Sequence, residues 1–263
     1  MEPVDTPYDP AVAAQAQRQR VRRNLFRWLL FVVLLGGVQI ATIAWPDLAR
    51  WAVVPLTAAG LVGLLTAPML HADWGHLFSN ALGLVVLGTL LGTVYPRSAG
   101  RIVVAAWIGA GVFTWLIGRP SVHLGASGLV HGLFFALFTL ALLRRDRPAV
   151  VAAMIAMMLF GGMLLTVLPH EWRISWEMHA GGALAGMVAA FVWRRRDPPP
   201  PRKLYSWEIE ELQAEALSEA KALDEAAYEP ERPREVPVLW VRPERSDERG
   251  TVLPFRRPGD PPG

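Results

Sequence analysis

Long apolar blocks alternate with short polar breaks along this chain, and the blocks approach the ~20 residues that a helix needs to cross a bilayer. Six of them read as membrane spans: Trp28 to Trp45, His76 to Val94, Ile102 to Gly118, Leu124 to Leu143, Val150 to Leu168 and Trp176 to Trp193. The stretch from Asp47 to Leu70 is also apolar, but Pro55, Gly60, Gly63 and Pro68 interrupt it, so it is read as an outer loop lying in the interface. Residues 1–17 are polar and are expected to be mobile. Past the last span, Pro198 to Pro201 form a stiff linker. Ile209, Leu212, Ala216, Ala220, Leu223 and Ala227 then recur every three or four residues, which predicts an amphipathic helix over about 206–227 with Glu208, Glu210, Glu211, Glu215 and Glu219 elsewhere on its surface. The tail from Glu229 is rich in Pro, Arg and Glu and is expected to be disordered apart from a small apolar island, Val236 to Val241. The pattern therefore predicts an all-α polytopic membrane protein: an N-terminal tail (1–24), a six-span membrane domain (25–196) and a C-terminal extension (197–263).

Glycines recur four apart within the spans, as Gly88 and Gly92, Gly128 and Gly132, and Gly182 and Gly186. Each pair falls on one helix face and lets a neighbouring backbone approach closely, so a tight bundle is expected. Composition agrees, since 52% of the 263 residues are hydrophobic and the charged 19% concentrate before Trp28 and after Val192. The net charge of +3 would suggest nucleic acid on a soluble domain, but the arginines here flank apolar runs and report topology instead. With the N-terminus inside, thirteen arginines near span ends lie on the inner side (18, 20, 22, 23, 27, 97, 101, 144, 145, 147, 194, 195 and 196) and three on the outer (50, 119 and 173). The positive-inside rule then puts both termini in the cytoplasm. No cleavable signal is recognisable ahead of the first span. The absence of cysteine excludes disulfides, thiolate catalysis and Cys-type metal sites.

Polar side chains are costly in hydrocarbon, so the spans that carry them ask for a reason. Three do: the second begins with His76, Ser79 and Asn80, the fourth with Ser127 and His131, and the sixth with Glu177 and His179. All three run from outside to inside in the topology above. Counted from the span starts, Ser127 and His179 each lie three residues in, roughly 5 Å below the outer end at ~1.5 Å per residue. His76 and Asn80, one turn apart on one face, bracket a similar depth. A serine, histidines and an amide thus converge at one height near the outer surface.

Such a set can perform acyl transfer. Ser127 would be the nucleophile and His179 its general base and acid, while His76, Asn80 and the Ser127 backbone N–H would hold the oxyanion. Two readings stand for Gly125-Ala126-Ser127-Gly128 by itself, because small residues also serve simply to pack membrane helices. Glu177 precedes His179 by two residues and points away from its face, so a dyad rather than a triad is expected, with Glu177 at the interface. His131, one turn after Ser127, either orients His179 or has a packing role. His71 reads as a structural or capping residue, and His123 and His170 as ordinary loop residues. A soluble hydrolase elbow is a poor alternative, because Leu129 stands in place of the last glycine of Gly-x-Ser-x-Gly and no strand precedes it, and a His-Glu-x-x-His metal site is absent.

These motifs resemble the rhomboid family of intramembrane serine proteases: His71-x-x-x-x-His76-x-x-x-Asn80 in span two, Gly125-Ala126-Ser127-Gly128 opening span four, and His179-x-x-Gly182-x-x-x-Gly186 in span six. The likeness covers about residues 25 to 195. It implies a six-helix rhomboid-like core with an outward-opening cavity, a Ser127–His179 dyad and an oxyanion hole of His76, Asn80 and the Ser127 amide. It also implies no cofactor, and the dyad needs no metal; Gly125, Gly128, His131, Gly182 and Gly186 are expected to support the site. Membrane-anchored proteins would be the substrates, cleaved in or near a transmembrane helix, with the lipid bilayer as the other partner, no nucleic acid, and residence in a bacterial-type plasma membrane. The chain departs from the family in having His131 where an aromatic, often tyrosine, is common, Met178 before the span-six histidine, and Arg50-Trp51 rather than Trp-Arg in the first outer loop. A non-catalytic relative that binds membrane helices and escorts or destabilises them is the alternative. A channel or transporter would carry polar residues deep in several spans or inverted repeats, whereas the polar residues here concentrate near one side.

Overall fold

The computed structural model describes residues 10–169, 171–172, 174–198 and 206–228. Eight α-helices follow in order among them: α1 (Pro10–Ala44), α2 (Gly63–Thr66), α3 (Trp74–Val94), α4 (Ala99–Ile117), α5 (Ser127–Arg144), α6 (Arg147–Phe160), α7 (Trp176–Trp193) and α8 (Ser206–Tyr228). Five helices are long and apolar enough to cross a membrane: α1, α3, α4, α5, and α6 with its 3₁₀ continuation to Leu164. The protein is an integral membrane protein. Helix α7 coincides with the expected sixth span and has 18 residues, but it carries Glu177 and His179 in its first turn and is not among those five.

The expected tails and linker mostly lie outside the described residues, namely 1–9, 199–205, His170, Arg173 and everything from Glu229 including the island at Val236 to Val241. Where the sequence predicts a mobile polar lead, residues 10–17 are already helical. Four alanines in the lead Pro10 to Gln17 favour continuation of the helix backward from the span. Helix α8, in the separate C-terminal unit, runs through its acidic segment with Ile209, Leu212 and Leu223 exposed.

The broken stretch 46–70 forms only short turns: 3₁₀ helices at Pro46–Trp51, Ala59–Leu61 and Ala67–Met69, with α2 between the last two. They fold tightly, since a Cβ on Gly63 would lie 2.3 Å from the Ala52 carbonyl carbon. The loop is tied to the chain ahead of α5 by a two-residue bridge, in which Val53 N–H donates to the His123 carbonyl and His123 N–H to that of Val53, both at 2.9 Å.

The bundle closes around α5, the most enclosed of the spans, whereas α1 is the least. Glycine sets the spacing. A Cβ on Gly182 would sit 1.9 Å from the Gly128 carbonyl oxygen, and one on Gly186 would sit 2.1 Å from that of Gly132. Helices α5 and α7 therefore touch backbone to backbone along two turns. On the other flank, Gly88 and Gly92 of α3 receive Trp28 and Asn24 of α1.

Gly182→Ala is predicted to destabilise the protein by at least ~1–3 kcal/mol, because the two backbones must separate to admit the methyl group. Gly162→Ala, with open space at its Cβ position, should be neutral. Thermal unfolding in one detergent compares them; equal midpoints would show that the α5–α7 contact has slack.

Candidate active site

Ser127 is the first residue of α5, not three residues into it as the hydropathy pattern suggested. The reason is local. Gly125 adopts φ +113°, a conformation that stops the helix from starting earlier. The same glycine admits α3, since a Cβ there would lie 2.5 Å from the His76 ring. The turn is held by Gly125 N–H donating to the Ala67 carbonyl at 2.9 Å and by a long 3.5 Å bond from Ala126 N–H to His71 Nε2. His71 is buried and packs edge-on to His76, with ring centroids 5.2 Å apart. The structural reading of His71 holds, whereas the helix cap belongs to Asp73, whose carboxylate accepts from His76 N–H at 2.8 Å. No side chain caps the first turn of α5, so the Ser127 amide remains available at the positive end of the helix.

Ser127 faces a cavity of about 860 Å³ walled by α3, α5, α6 and α7. His76, Ser79 and Asn80 enter it from α3, His131 from α5 and His179 from α7, while Val130, Leu159, Phe160 and Met163 supply apolar wall. Asn80 is 5% exposed, and its Nδ2 has no hydrogen-bond partner among the described residues. An amide donor buried unpaired beside a serine is costly unless something transient accepts from it. Gly128, Gly182 and Gly186 do not line the cavity; they act through the helix contact beneath it.

The histidine orientations are fixed by one residue that the sequence did not single out. Thr166, in the irregular segment after α6, presents its carbonyl to His179 Nδ1 at 3.0 Å and its hydroxyl to His131 Nε2 at 2.8 Å. A carbonyl only accepts, so His179 carries its proton on Nδ1 and keeps the Nε2 lone pair free. By the same logic His131 donates from Nδ1 to the Ser127 carbonyl at 2.7 Å and, when neutral, accepts the Thr166 hydroxyl proton at Nε2. The two rings stack, with centroids 3.8 Å apart and planes 14° from parallel. His131 thus packs against His179 and is bonded to the backbone of Ser127. Ser127 Oγ and His179 share the cavity without a hydrogen bond between them in this structure.

Glu177 does not face His179, but neither does it sit at the water interface: its side chain is fully buried. It accepts from Arg119 Nε at 2.6 Å, and Arg119 Nη2 reaches on to the Ile174 carbonyl at 2.7 Å. Beside this pair, His123 is buried rather than an ordinary loop residue. Its Nε2–H points at the Arg119 carbonyl, 3.0 Å away, so Nδ1 accepts from the Ser175 hydroxyl at 2.6 Å. Ser175 in turn caps α7 by accepting from Met178 N–H. The segments leading into Ser127 and into His179 are thereby fastened to each other. Nothing local in the sequence signals a contact between residues 58 positions apart.

A family model described as a Rhomboid domain matches residues 58–196, a range that holds every residue of the cavity. Uncharacterized proteins of Mycobacterium bovis and Mycobacterium tuberculosis are each 37% identical to this chain over 174 residues, which covers 62% of it and 72% of them. An uncharacterized protein of Mycobacterium leprae is 36% identical over 141 residues, 50% of this chain and 56% of its own.

Arg119→Ala is predicted to cost about 3 kcal/mol, the low end for stranding a buried carboxylate, because a third of the Arg119 side chain is open to water. Adding Glu177→Gln should restore part of the loss, as denaturation of the two variants would register. A pH effect follows from His71, which lies before α3. Burial, and next the neighbouring His76, push its imidazole down to about 4. The unfolded chain binds that proton near the ordinary 6.5, so stability is full above pH 6.5 and is lost as pH falls toward 4. The unfolding midpoint should therefore drop less between pH 7 and 4.5 in His71→Gln than in the wild type.

Proposed function

The chain belongs to the rhomboid family, and on that premise we propose that it is an intramembrane serine endopeptidase that cleaves membrane-anchored proteins in or near a transmembrane helix. The observation that carries the reading is the convergence on one cavity of Ser127, of His179 with its Nε2 lone pair free, and of the unpartnered Asn80 amide.

Ser127 Oγ attacks the scissile carbonyl carbon as its proton passes to His179 Nε2. The resulting oxyanion accepts from the Ser127 backbone N–H, from Asn80 Nδ2–H and from His76, at the positive end of α5. Collapse of the intermediate breaks the C–N bond, and His179 returns the proton to the leaving amine. Water then attacks the acyl-Ser127 ester, giving its proton to His179; ester cleavage releases the carboxyl product and restores the serine hydroxyl. His131 acts as a positioning residue, since its stack and its bond to Thr166 hold His179 in one tautomer and plane. Transfer through the base contributes on the order of 10²–10⁴ in rate and each oxyanion donor about 10²–10³.

The cavity belongs at the outer side, with six spans and both termini in the cytoplasm, by the arginine distribution. A bacterial-type plasma membrane fits that arrangement. The substrate segment must leave its helix to reach Ser127, because a hydrogen-bonded peptide cannot present its carbonyl. Small or helix-breaking residues at the cleavage point follow from this.

Purified protein in liposomes, given a single-pass substrate with a Gly- or Pro-containing outer segment, tests the reading. Ser127→Ala and His179→Asn should each lower cleavage by at least ~10³-fold, and Asn80→Ala by ~10². A folded Ser127→Ala variant that still cuts at the wild-type rate would sink the mechanism. If wild type is silent but retains the substrate helix, the non-catalytic alternative takes its place.

A further inference from the structure

A second pocket, of about 420 Å³, opens between α1, α3 and α4. On α1 it runs from Arg23 to Phe31, eight residues or ~12 Å of helix. On α3 it is walled by Gly88, Leu91 and Gly92. Gly92 lies sixteen residues beyond His76, so the mouth sits ~24 Å along the helix from the cavity of Ser127.

Its chemistry is graded from end to end. Arg23 and Arg27 stand exposed at the mouth, and neither has an acidic partner among the described residues. Between them Asn24 is 7% exposed, and its buried Nδ2 has no hydrogen-bond partner there. The amide is pressed on Gly92, where a Cβ would meet Asn24 Cγ at 2.8 Å. Deeper in, the lining turns apolar and aromatic, with Phe31 and Trp107 rings 5.9 Å apart and Leu129 beyond. Gly100 keeps the α4 side open, with nothing within 4 Å of where its Cβ would be.

Two guanidinium groups and an unsatisfied amide donor at one mouth select an anion with several acceptor oxygens. The apolar slot behind them suits no soluble anion, but it suits the chain attached to one. Basic pockets between spans are the usual seat of anionic lipid headgroups. We infer that this pocket holds one anionic phospholipid of the leaflet on the arginine-rich side, its phosphate between Arg23, Asn24 and Arg27 and one acyl chain along Phe31 and Trp107. The inference does not depend on the protease reading.

The full-length protein in mild detergent can be titrated with phosphatidylglycerol, phosphatidylcholine or glycerol phosphate, with bound adducts counted by native mass spectrometry. One saturable phosphatidylglycerol per chain is expected, with phosphatidylcholine weaker and glycerol phosphate absent. Arg23→Gln/Arg27→Gln should weaken phosphatidylglycerol binding roughly 30-fold, and the corresponding lysine pair should retain most of it. Gly100→Leu, whose Cβ position has no atom within 4 Å, adds bulk to the α4 wall of the pocket and should block binding while melting like wild type; it decides the matter if the glutamine pair misfolds. Unchanged phosphatidylglycerol binding in Gly100→Leu overturns the proposal, and so does glycerol phosphate binding as tightly as the lipid.

Discussion

Everything at the cavity depends on how closely α5 and α7 approach. Ser127 opens one of these helices and His179 lies in the first turn of the other, and no hydrogen bond between the two side chains sets their separation. The separation is set one turn below, where Gly182 rests on the Gly128 carbonyl and Gly186 on that of Gly132. In lipid there is no hydrophobic gain from pressing two apolar helices together, so close backbone packing has to supply the association. Glycine at four positions makes that contact possible and at the same time fixes the relative height of Ser127 and His179.

Rigid packing alone would leave the tops of these helices free to splay, because both begin in irregular loops. The Arg119–Glu177 pair and the His123–Ser175 bond close them. A fully buried carboxylate is tolerable only with its cation in contact, and here the cation also holds the loop carbonyl of Ile174. The pair therefore couples α7 to the segment that delivers Gly125 and Ser127. Helix α3 is brought to the same place from the other side, where the positive φ of Gly125 removes the Cβ that would keep His76 away.

Much of this was legible in the residues. Hydropathy located α3 and α7 to within two residues, and polar side chains in three apolar blocks identified His76, Asn80, Ser127, His131 and His179, all of which the fold brings to one cavity. The start of α5 was misplaced because apolar Leu124 and the small residues after it look like span, whereas the backbone of Gly125 decides otherwise. Glu177 could be excluded from the His179 face by helix geometry, but its burial could not be foreseen, since Arg119 lies in a different loop. Periodicity reads one helix at a time, and these contacts join segments far apart in sequence. Thr166 was invisible for a further reason: half of its contribution is a backbone carbonyl, which every residue possesses.

That carbonyl explains why α6 ends where it does. In an unbroken helix the Thr166 oxygen would accept from the amide four residues on and would be unavailable to a side chain. Instead α6 stops at Phe160, and Gly161 and Gly162 lead into a short 3₁₀ stretch ending at Leu164. The chain beyond is irregular, which frees the Thr166 carbonyl for His179 and turns its hydroxyl toward His131. Non-helical backbone at membrane depth is tolerated only where protein or a wet cavity satisfies it, and here the two imidazoles do so. The break in α6 and the orientation of His179 are thus one feature, in which each supplies the hydrogen-bond partner that the other lacks.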